Sequence, residues 1–299
     1  MSAGFTAKNV PNMAGKVALV TGANTGLGFE AAKVLAANNA QVIIACRNVY
    51  KAKLAIAAIQ AHAPSADVSS ITLSLDDLTS VKRAVSELSG LDKLDLLINN
   101  AGIMVPPLER TADGFESQFG VNHLGPFALT GLLLDKMIHN PGARIINTSS
   151  LAANSGKILF DDVNADHGYE AMQRYCMSKL ANLMYSAELD QRLEKAGAQC
   201  ISIACHPGVA TTELSRYLPG WISIAEPLVK ILFNTAEQGV WPTLQAATDP
   251  AANRGGYYGP SRRRQTSGPS IKVSGERKNS KQAQQLWQLS EQMTGVSYL

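Results

Sequence analysis

Short apolar runs alternate with longer amphipathic stretches along most of the chain. Runs such as KVALVTG (16–22) and AQVIIACR (40–47) are rich in β-branched residues and end at Gly or at a charge, which is typical of buried strands. The stretch LGFEAAKVLAAN (27–38) has the helical periodicity that recurs between the runs. We therefore predict strands at 16–22, 40–47, 69–75, 93–102, 143–150, 199–208 and 255–260, and helices at 27–38, 50–64, 78–90, 119–137, 175–197 and 280–295.

The order of these elements predicts the fold. Strands with few polar residues that alternate with helices are typical of a parallel sheet covered on both faces and joined by right-handed crossovers. We expect one doubly wound α/β domain over 14–260, with a mostly parallel sheet of six or seven strands. An N-terminal arm (1–13) precedes it and a C-terminal extension (261–299) follows. The helix predicted in the extension is expected to dock on the body through Leu286, Trp287 and Leu289.

Composition and charge narrow the class of protein. Of the 299 residues, 45% are hydrophobic and 17% are charged, which is ordinary globular composition. The formal net charge of +3 is too small to indicate a nucleic-acid partner. Basic residues do cluster in SRRRQ (261–265) and KVSGERKNSK (272–281), without aromatic residues between them. We interpret these stretches as solvated surface rather than as a nucleic-acid site.

The cysteines and the longest apolar runs bear on metals and on location. Cys46, Cys176, Cys200 and Cys205 form no CxxC pair and have no histidine set at metal-ligand spacing. We therefore predict no metal site, and free thiols that fit a reducing compartment. No run approaches the roughly 18–20 apolar residues of a membrane span, and the N-terminus shows no apolar core of signal-peptide length. We expect a cytoplasmic protein without an N-terminal membrane anchor.

A glycine-rich turn lies between the first predicted strand and the first predicted helix. The segment TGANTGLG (21–28) has the spacing GxxxGxG. Such glycines let the backbone turn sharply and approach a pyrophosphate, whose negative charge then lies at the helix N-terminus. The position of the turn favours dinucleotide binding over a purely structural role. The predicted contact residues in this loop are Gly22, Asn24, Thr25, Gly26, Leu27 and Gly28.

The end of the second predicted strand indicates which dinucleotide binds. An NAD site usually has an acidic residue there for the ribose 2′-OH, whereas an Arg accommodates a 2′-phosphate. Here the strand ends in Arg47 and Asn48, and no acid follows before Asp67. We therefore predict NADP(H) as the cofactor. Asn24 and Thr25 of the loop are further contacts for the adenosine phosphate.

A tyrosine and a lysine lie four residues apart on one predicted helix. Tyr175 and Lys179 therefore share a helix face. Hydride transfer between a carbonyl and an alcohol also needs a proton at the oxygen, and a Tyr supplies it when a nearby cation lowers its pKa. We expect Lys179 to be that cation and to hydrogen-bond the nicotinamide ribose. Ser149 and Ser150 end the fifth strand, where one hydroxyl can hold the substrate oxygen.

Six short motifs occur in order along the chain. They are TGANTGLG (21–28), NNAG (99–102), VNHLG (121–125), INTSS (146–150), YCMSK (175–179) and HPG (206–208). Together they resemble the short-chain dehydrogenase/reductase superfamily over about residues 15–260. The insertion at 156–174, with ACRN (45–48) and YYGP (257–260), resembles the branch that contains the retinol dehydrogenases. The resemblance implies a Rossmann fold and an NADP-dependent oxidoreductase.

The resemblance also implies roles for individual residues. Tyr175 matches the general acid/base and Lys179 its cationic partner. Ser150 matches the substrate-orienting serine, with Ser149 as the fallback because only one of two adjacent strand residues faces the site. Asn122 matches a position that holds a water relay to the lysine. Further residues that match cofactor contacts are Asn100, Ala101, Gly102, Val121, Pro207, Gly208, Val209 and Thr212 (or Thr211).

The sequence departs from the usual pattern of the family at two places. The acidic residue that meets the adenine amine in many members aligns with Ser74, so the backbone at Leu75 is an alternative contact. Ser150 and Tyr175 are 25 residues apart, about twice the spacing in compact members. His206 of the HPG motif is expected to be a structural neighbour of the turn rather than an acid.

The segment 209–232 is rich in apolar residues and is predicted to form a flap over the site. With Met104 and Val105 it suggests an apolar pocket with few polar anchors, and therefore a lipophilic ketone, aldehyde or alcohol as substrate. Two alternatives stay open: reduction of an activated C=C bond, and a dinucleotide-binding regulatory protein without catalysis. The choice between a monomer and a homo-oligomer also stays open, because the C-terminal extension can cover the helices through which relatives pair.

Overall fold

The computed structural model describes residues 4–209, 234–274 and 280–299. Strands and helices alternate along most of this part of the chain, as the apolar runs predict. In chain order the elements are β1 (Val17–Thr21), α1 (Gly26–Ala37), β2 (Gln41–Cys46), α2 (Val49–His62), β3 (Val68–Thr72), α3 (Leu78–Glu87), β4 (Leu96–Asn99), α4 (Ser117–Phe119), a π-helical turn (Gly120–Leu124), α5 (Gly125–Leu133), β5 (Arg144–Thr148), α6 (Ala171–Lys195), β6 (Ile201–Cys205), α7 (Ala236–Gly239), α8 (Trp241–Thr248), β7 (Tyr257–Arg262), β8 (Ser267–Lys272) and α9 (Ser280–Thr294).

The strands form one sheet in the order β3-β2-β1-β4-β5-β6-β7-β8. Neighbouring strands are parallel from β3 to β7. The predicted doubly wound α/β fold is therefore confirmed. The chain reverses its direction of travel across the sheet between β1 and β4, and ligands of such sheets bind beyond the carboxyl ends of the strands at that point.

The sheet contains eight strands within the described residues, one more than the larger number predicted. The additional strand, β8, pairs antiparallel with β7, and its Ser270 also pairs with Phe5 near the N-terminus. Its strand character is weak in the sequence because Gly268 and Pro269 lie within it, and both residue types are depleted in strands. Proline is tolerated there because β8 is an edge strand.

Both faces of the sheet are covered by apolar side chains. Leu35 of α1 and Ile59 of α2 pack in the core on one face. Val81 of α3, Phe127 of α5 and Leu189 of α6 pack in the core on the other. Every residue of β1 is buried, which explains why its sequence is a nearly continuous apolar run. The two layers fix the carboxyl ends of β1, β4 and β5 relative to one another.

The C-terminal helix α9 lies against α6 and α5. Leu286 and Trp287 are buried there, and Leu289 is partly buried. The chain end follows the same surface, where the Tyr298 hydroxyl lies 2.9 Å from the Tyr185 hydroxyl. The last residues of the described chain thus cover the outer side of the helix that carries Tyr175 and Lys179.

Candidate active site at the carboxyl ends of the strands

The turn between β1 and α1 has a backbone that glycine adopts most readily. Gly22 and Gly26 have φ angles of 66° and 59°, in the left-handed region. Gly28 is required for a different reason. A Cβ there would lie 2.5 Å from Asn100 Nδ2 and 2.6 Å from the carbonyl oxygen of Gly22. Turn geometry and close packing together account for the three glycines of the predicted loop.

The N-terminus of α1 faces this turn and can receive an anion. Thr25 precedes the helix in an extended conformation, and within the described residues its side chain does not cap the helix. The first N–H groups of a helix have no intrahelical acceptor and carry partial positive charge, so they suit a pyrophosphate. Asn24 and Thr25 are partly exposed beside them, whereas the Leu27 side chain is buried and offers only its main chain.

Thr21, the last residue of β1, ties this turn to the end of β4. Its hydroxyl oxygen accepts hydrogen bonds from the N–H groups of Asn100 and Ala101, both at 3.0 Å. Asn100 Nδ2 donates to the carbonyl oxygen of Thr21 at 2.9 Å. These bonds bring the predicted segment Asn100–Gly102 against Gly22. No role was predicted for Thr21, although its place directly before the glycine turn is a signal for one.

Arg47, which is predicted to select the dinucleotide, lies beside Asp76. Arg47 Nη1 lies 3.8 Å from Asp76 Oδ2, and the arginine side chain is 76% exposed. The Ser74 hydroxyl donates to the same carboxylate. The Asn48 side chain caps α2, and Leu75 is buried. Asp76 was not predicted as a neighbour of Arg47, because the two come from different strand ends that only the folded sheet brings together.

Tyr175 and Lys179 lie on the buried face of α6, with 5% and 4% of their surfaces exposed. Lys179 Nζ is 5.8 Å from the centre of the Tyr175 ring. It donates to the carbonyl oxygen of Thr148, at the end of β5, at 3.3 Å. A Cβ on Gly102 would lie 3.3 Å from the same Nζ atom. The structure therefore brings the predicted pair together between the ends of β4 and β5.

Burial dominates the ionisation of both groups. It raises the pKa of Tyr175 above its ordinary value, and an interaction with the Ser150 hydroxyl opposes that rise. Burial lowers the pKa of Lys179 to about 8, while the nearby Cys205 acts in the opposite direction. The expected lowering of the Tyr175 pKa by Lys179 is not seen here, because burial raises that pKa instead. At neutral pH the pair is a neutral phenol beside an ammonium group.

The two serines after β5 make different contacts. Ser149 is 1% exposed, and its hydroxyl donates to the carbonyl oxygen of Lys179 at 2.7 Å. Ser150 is partly exposed, and its hydroxyl accepts a hydrogen bond from the Ala152 N–H at 3.2 Å and interacts with the Tyr175 hydroxyl. Ser150, rather than the fallback Ser149, is thus the serine beside Tyr175.

Asn122 lies in the π-helical turn, a rare conformation that is frequent at functional sites. Its Oδ1 accepts a hydrogen bond from the Ile103 N–H at 2.7 Å. Its Nδ2 donates to the Ile103 carbonyl oxygen and to the Ser178 hydroxyl, both at 2.9 Å. A Cβ on Gly102 would lie 3.0 Å from Oδ1, so Asn122 and Lys179 flank this glycine. Its predicted neighbour Val121 is partly buried.

The HPG turn after β6 is built around His206. This ring is fully buried, which lowers its pKa to about 4. Its Nδ1 accepts a hydrogen bond from the Gly208 N–H at 3.2 Å, and its Nε2 lies 3.0 Å from Gln265 Oε1. Gly208 has a φ of 73°, which favours glycine. His206 is therefore neutral at physiological pH and supports the turn from within.

Asn234 closes the same turn from the other side. Its Nδ2 donates to the carbonyl oxygen of Pro207 at 3.2 Å, and its N–H donates to that of Val209 at 3.0 Å. No role was predicted for Asn234, whose contacts join two distant parts of the sequence. The predicted contact Thr212, its alternative Thr211 and the predicted flap beyond Val209 lie outside the described residues.

A family model described as short chain dehydrogenase matches residues 16–222, which include the glycine turn, Tyr175 and Lys179. The chain belongs to the short-chain dehydrogenase family. Mouse retinol dehydrogenase 11 is 42% identical to this short-chain dehydrogenase over 83% of this chain and 77% of the relative. Human retinol dehydrogenase 12 is 37% identical over 99% of this chain and 92% of the relative. The predicted resemblance to the retinol dehydrogenase branch is confirmed.

Solved structures share the fold of this short-chain dehydrogenase. An uncharacterised protein from Mycobacterium paratuberculosis is 36% identical, with a TM-score of 0.82 over 99% of this chain and 100% of that one. A candidate NAD(P)-dependent gluconate 5-dehydrogenase from Beutenbergia cavernae, solved with NADP at low occupancy, is 25% identical, with a TM-score of 0.66 over 82% of this chain and 95% of that one.

Family membership defines the class of reaction. This short-chain dehydrogenase is an oxidoreductase that uses a nicotinamide dinucleotide to interconvert alcohols and carbonyl compounds. The site described above lies where the fold places such a cofactor, at the carboxyl ends of the central strands. Among residues 4–209, 234–274 and 280–299, no helix combines the length and the apolar character that crossing a bilayer requires.

Proposed function

We propose that this short-chain dehydrogenase interconverts a hydrophobic ketone or aldehyde and its alcohol with NADP(H), and that Tyr175 is its general acid/base. The observation that carries the proposal is the buried grouping of Tyr175 with Lys179 and Ser150. The Lys179 ammonium lies 5.8 Å from the Tyr175 ring centre, and the Ser150 hydroxyl interacts with the phenol. The two hydroxyls can then meet one substrate oxygen, with the cation beside the phenol.

In the reducing direction, Tyr175 gives its hydroxyl proton to the carbonyl oxygen. Its raised pKa keeps the proton on the phenol at neutral pH, which is the protonation state that a general acid needs. The positive charge of Lys179 then stabilises the phenolate that is left behind. The Ser150 hydroxyl can both donate and accept, so it orients the substrate oxygen in either direction of the reaction.

The residues around the glycine turn fit a dinucleotide. The N-terminus of α1 with Gly22, Asn24, Thr25, Gly26, Leu27 and Gly28 would hold the pyrophosphate. The adenosine half would meet Ser74, Leu75, Asn100, Ala101 and Gly102, and Val121 would lie near the cofactor. The nicotinamide half would meet Pro207, Gly208 and Val209, with Thr212 (or Thr211) as a phosphate or amide contact. Lys179 is a buried ammonium whose bond to Thr148 is long, at 3.3 Å, so it has donors to spare for ribose hydroxyls. When bound, the nicotinamide ring supplies or takes up the hydride.

The proposal of NADP(H) rather than NAD(H) rests on Arg47. Its guanidinium is largely exposed at the end of β2, where a ribose 2′-phosphate would lie. Asn48 shapes the backbone of that strand end by capping α2. The Beutenbergia relative has NADP in its described structure, which agrees with this choice. Asp76, which lies 3.8 Å from Arg47, opposes it.

The proposed substrate class rests on the apolar residues beside the reaction site and on the relatives. Met104 and Val105 follow the NNAG motif beside the reaction site, and both are partly exposed there. Mouse retinol dehydrogenase 11 and human retinol dehydrogenase 12 are named for retinol, a long apolar alcohol. We infer that this chain accepts a lipophilic carbonyl or alcohol in the same site.

A substrate panel tests the proposal. Purified protein is mixed with NADPH or NADH and with matched hydrophobic and carboxylated ketones and aldehydes, and both cofactor oxidation and products are measured. We expect the alcohol as product, NADPH as the better cofactor, and higher kcat/KM for the hydrophobic members. A saturated carbonyl formed from an α,β-unsaturated substrate would instead identify a C=C reductase. Cofactor binding without turnover of any member would identify a non-catalytic binding protein.

A further inference from the structure

The loop after β4, residues 103–106, starts directly beside the reaction site. It follows Gly102, where an added Cβ would lie 3.0 Å from Asn122 Oδ1 and 3.3 Å from Lys179 Nζ. Both main-chain groups of Ile103 are bonded to the Asn122 amide. The residues that follow therefore begin next to the proposed proton-transfer pair, and their conformation shapes the space in front of it.

Val105, in the middle of this loop, has an unusual backbone conformation. Its φ is 47°, in the left-handed region. That region is unfavourable for any residue with a Cβ, and a β-branched side chain makes it worse. Such a conformation persists only where surrounding groups enforce it, and it is concentrated at functional sites. Other parts of the structure must therefore hold Val105 in place.

The Gln118 side chain is the group that holds it. Gln118 is fully buried in α4, and its Oε1 accepts a hydrogen bond from the Val105 N–H at 2.9 Å. Its Nε2 donates to the Tyr169 hydroxyl at 3.1 Å and to the carbonyl oxygen of Ala171 at 2.9 Å. The Tyr169 hydroxyl in turn donates to the carbonyl oxygen of Pro106 at 2.7 Å. Two linked side chains thus fix two consecutive residues of the loop.

Tyr169 comes from the insertion at 156–174, which lengthens the spacing between Ser150 and Tyr175. Arg174 anchors this insertion from inside. It is 1% exposed, and its Nη2 lies 2.5 Å from Asp162 Oδ2 and 3.0 Å from the carbonyl oxygen of Gly168. The insertion is therefore fixed to the start of α6 and reaches from there to the loop at 103–106.

We propose that Gln118 and Tyr169 are positioning residues that hold Val105 and Pro106 as one wall of the substrate site, and that they thereby set its selectivity among carbonyl compounds. The proposal rests on the proposed carbonyl reduction. Neither side chain belongs to the proton-transfer group, and neither contacts the glycine turn. Their loss should therefore change substrate binding and leave both proton transfer and cofactor binding intact.

Steady-state kinetics of Gln118→Ala and Tyr169→Phe test this role. Removing one hydrogen bond to the loop corresponds to about a two- to tenfold change in binding. We expect Gln118→Ala to raise KM for the carbonyl substrate by about that factor, and Tyr169→Phe by less, with kcat and the NADPH KM changed by less than about twofold. Tyr258→Phe is the matched control, because its hydroxyl accepts a main-chain hydrogen bond from Asn253 at 3.0 Å, outside this loop.

The double variant with Val105→Gly separates positioning from general structural damage. Glycine adopts a positive φ without the steric cost that valine incurs. With glycine at position 105, the loop therefore depends less on the hydrogen bond to Gln118. We expect Gln118→Ala to raise the substrate KM by a smaller factor in the Val105→Gly background than in the wild type. Equal factors in the two backgrounds would overturn the proposal. If Gln118→Ala does not fold, Gln118→Met keeps the volume without the amide and replaces it.

Amide hydrogen exchange at Val105 gives a readout that does not depend on turnover. We expect Gln118→Ala to accelerate exchange of the Val105 amide and to leave the Ile103 amide, which Asn122 holds, protected. Unchanged exchange at Val105 would overturn the proposal that Gln118 positions this residue, whatever the activity of the variant. Exchange at Val105 can also be accelerated in Gln118→Ala while the wild-type protein reduces no carbonyl compound. That result would overturn the proposed function instead, and with it the link between this loop and selectivity.

Discussion

Lys179 Nζ lies 5.8 Å from the centre of the Tyr175 ring, one helical turn along α6, and both side chains are buried. The ammonium favours ionisation of the phenol, whereas burial opposes it. Burial is the larger effect, because the pKa of Tyr175 is raised. In the proposed mechanism the pair therefore keeps a proton on Tyr175 until a substrate oxygen takes it, and the ammonium stabilises the phenolate at that moment.

The buried ammonium should make stability depend on pH. Burial lowers the pKa of Lys179 from 10.5 to about 8 in the folded chain, so the unfolded chain binds this proton more strongly between those values. Stability therefore rises with pH across this window, and the full cost of about 3 kcal/mol applies below pH 8. We expect Lys179→Met to be more stable than the wild type at pH 7.

Urea unfolding of both proteins between pH 6 and pH 10.5 measures this effect. The advantage of Lys179→Met should be constant below about pH 8 and should shrink as the pH rises further. The same substitution should abolish turnover, as expected for a site whose activity costs stability. A stability difference that does not change with pH would show that the buried charge of Lys179 does not destabilise the folded protein.

Asp76 competes for the arginine that is proposed to select NADP(H). Arg47 and Asp76 are both substantially exposed, and their side chains are 3.8 Å apart. We expect Asp76→Asn to tighten NADPH binding by about two- to fivefold, because it frees the guanidinium and removes repulsion of the 2′-phosphate. Arg47→Ala should weaken NADPH binding by about tenfold and leave NADH binding nearly unchanged.

Fluorescence titration with each cofactor, at low and high salt, checks these changes. Screening by salt should reduce the effect of both substitutions, since the charges are at the surface. If Asp76→Asn altered NADPH and NADH binding equally, the 2′-phosphate would not bind beside Arg47 and Asp76.

Gly28 should tolerate no side chain. A Cβ there would lie 2.5 Å from Asn100 Nδ2 and 2.6 Å from the main-chain oxygen of Gly22. We expect Gly28→Ala to lower the free energy of unfolding by about 1–3 kcal/mol and to weaken NADPH binding by more than about tenfold. Gly90→Ala is the matched control, because nothing lies within 4 Å of a Cβ at Gly90.

Thermal unfolding and cofactor titration of the two alanine variants give the comparison. The control should match the wild type in both measurements. A Gly28→Ala protein that bound NADPH with wild-type affinity would show that the turn between β1 and α1 does not close around the dinucleotide.

Features that depend on local spacing were predictable from the sequence. The alternation of apolar runs and helical stretches predicted the doubly wound sheet, because side-chain periodicity is a local property. The four-residue separation of Tyr175 and Lys179 predicted that they share a helix face, and the structure brings them together. The glycine spacing predicted the turn at Gly22 and Gly26, where φ is positive.

Features that depend on contacts between distant segments were not predictable from the sequence. Alternation along β5 allows either Ser149 or Ser150 to face the site, and contacts with α6 decide between them. Asp76 reaches Arg47 only across neighbouring strand ends. The pKa of Tyr175 also depends on how deeply the fold buries it, which the spacing to Lys179 does not reveal.

Turnover and cofactor affinity of Tyr175→Phe test the proposed role of Tyr175 as the proton donor. The substitution removes a single oxygen and keeps the ring that packs on α6 beside Lys179. We expect kcat for carbonyl reduction to fall by about 10²- to 10⁴-fold, while the dissociation constant for NADPH stays within about twofold of the wild type. A variant that reduces the carbonyl at the wild-type rate would rule out Tyr175 as the general acid, because the proton would then come from another group.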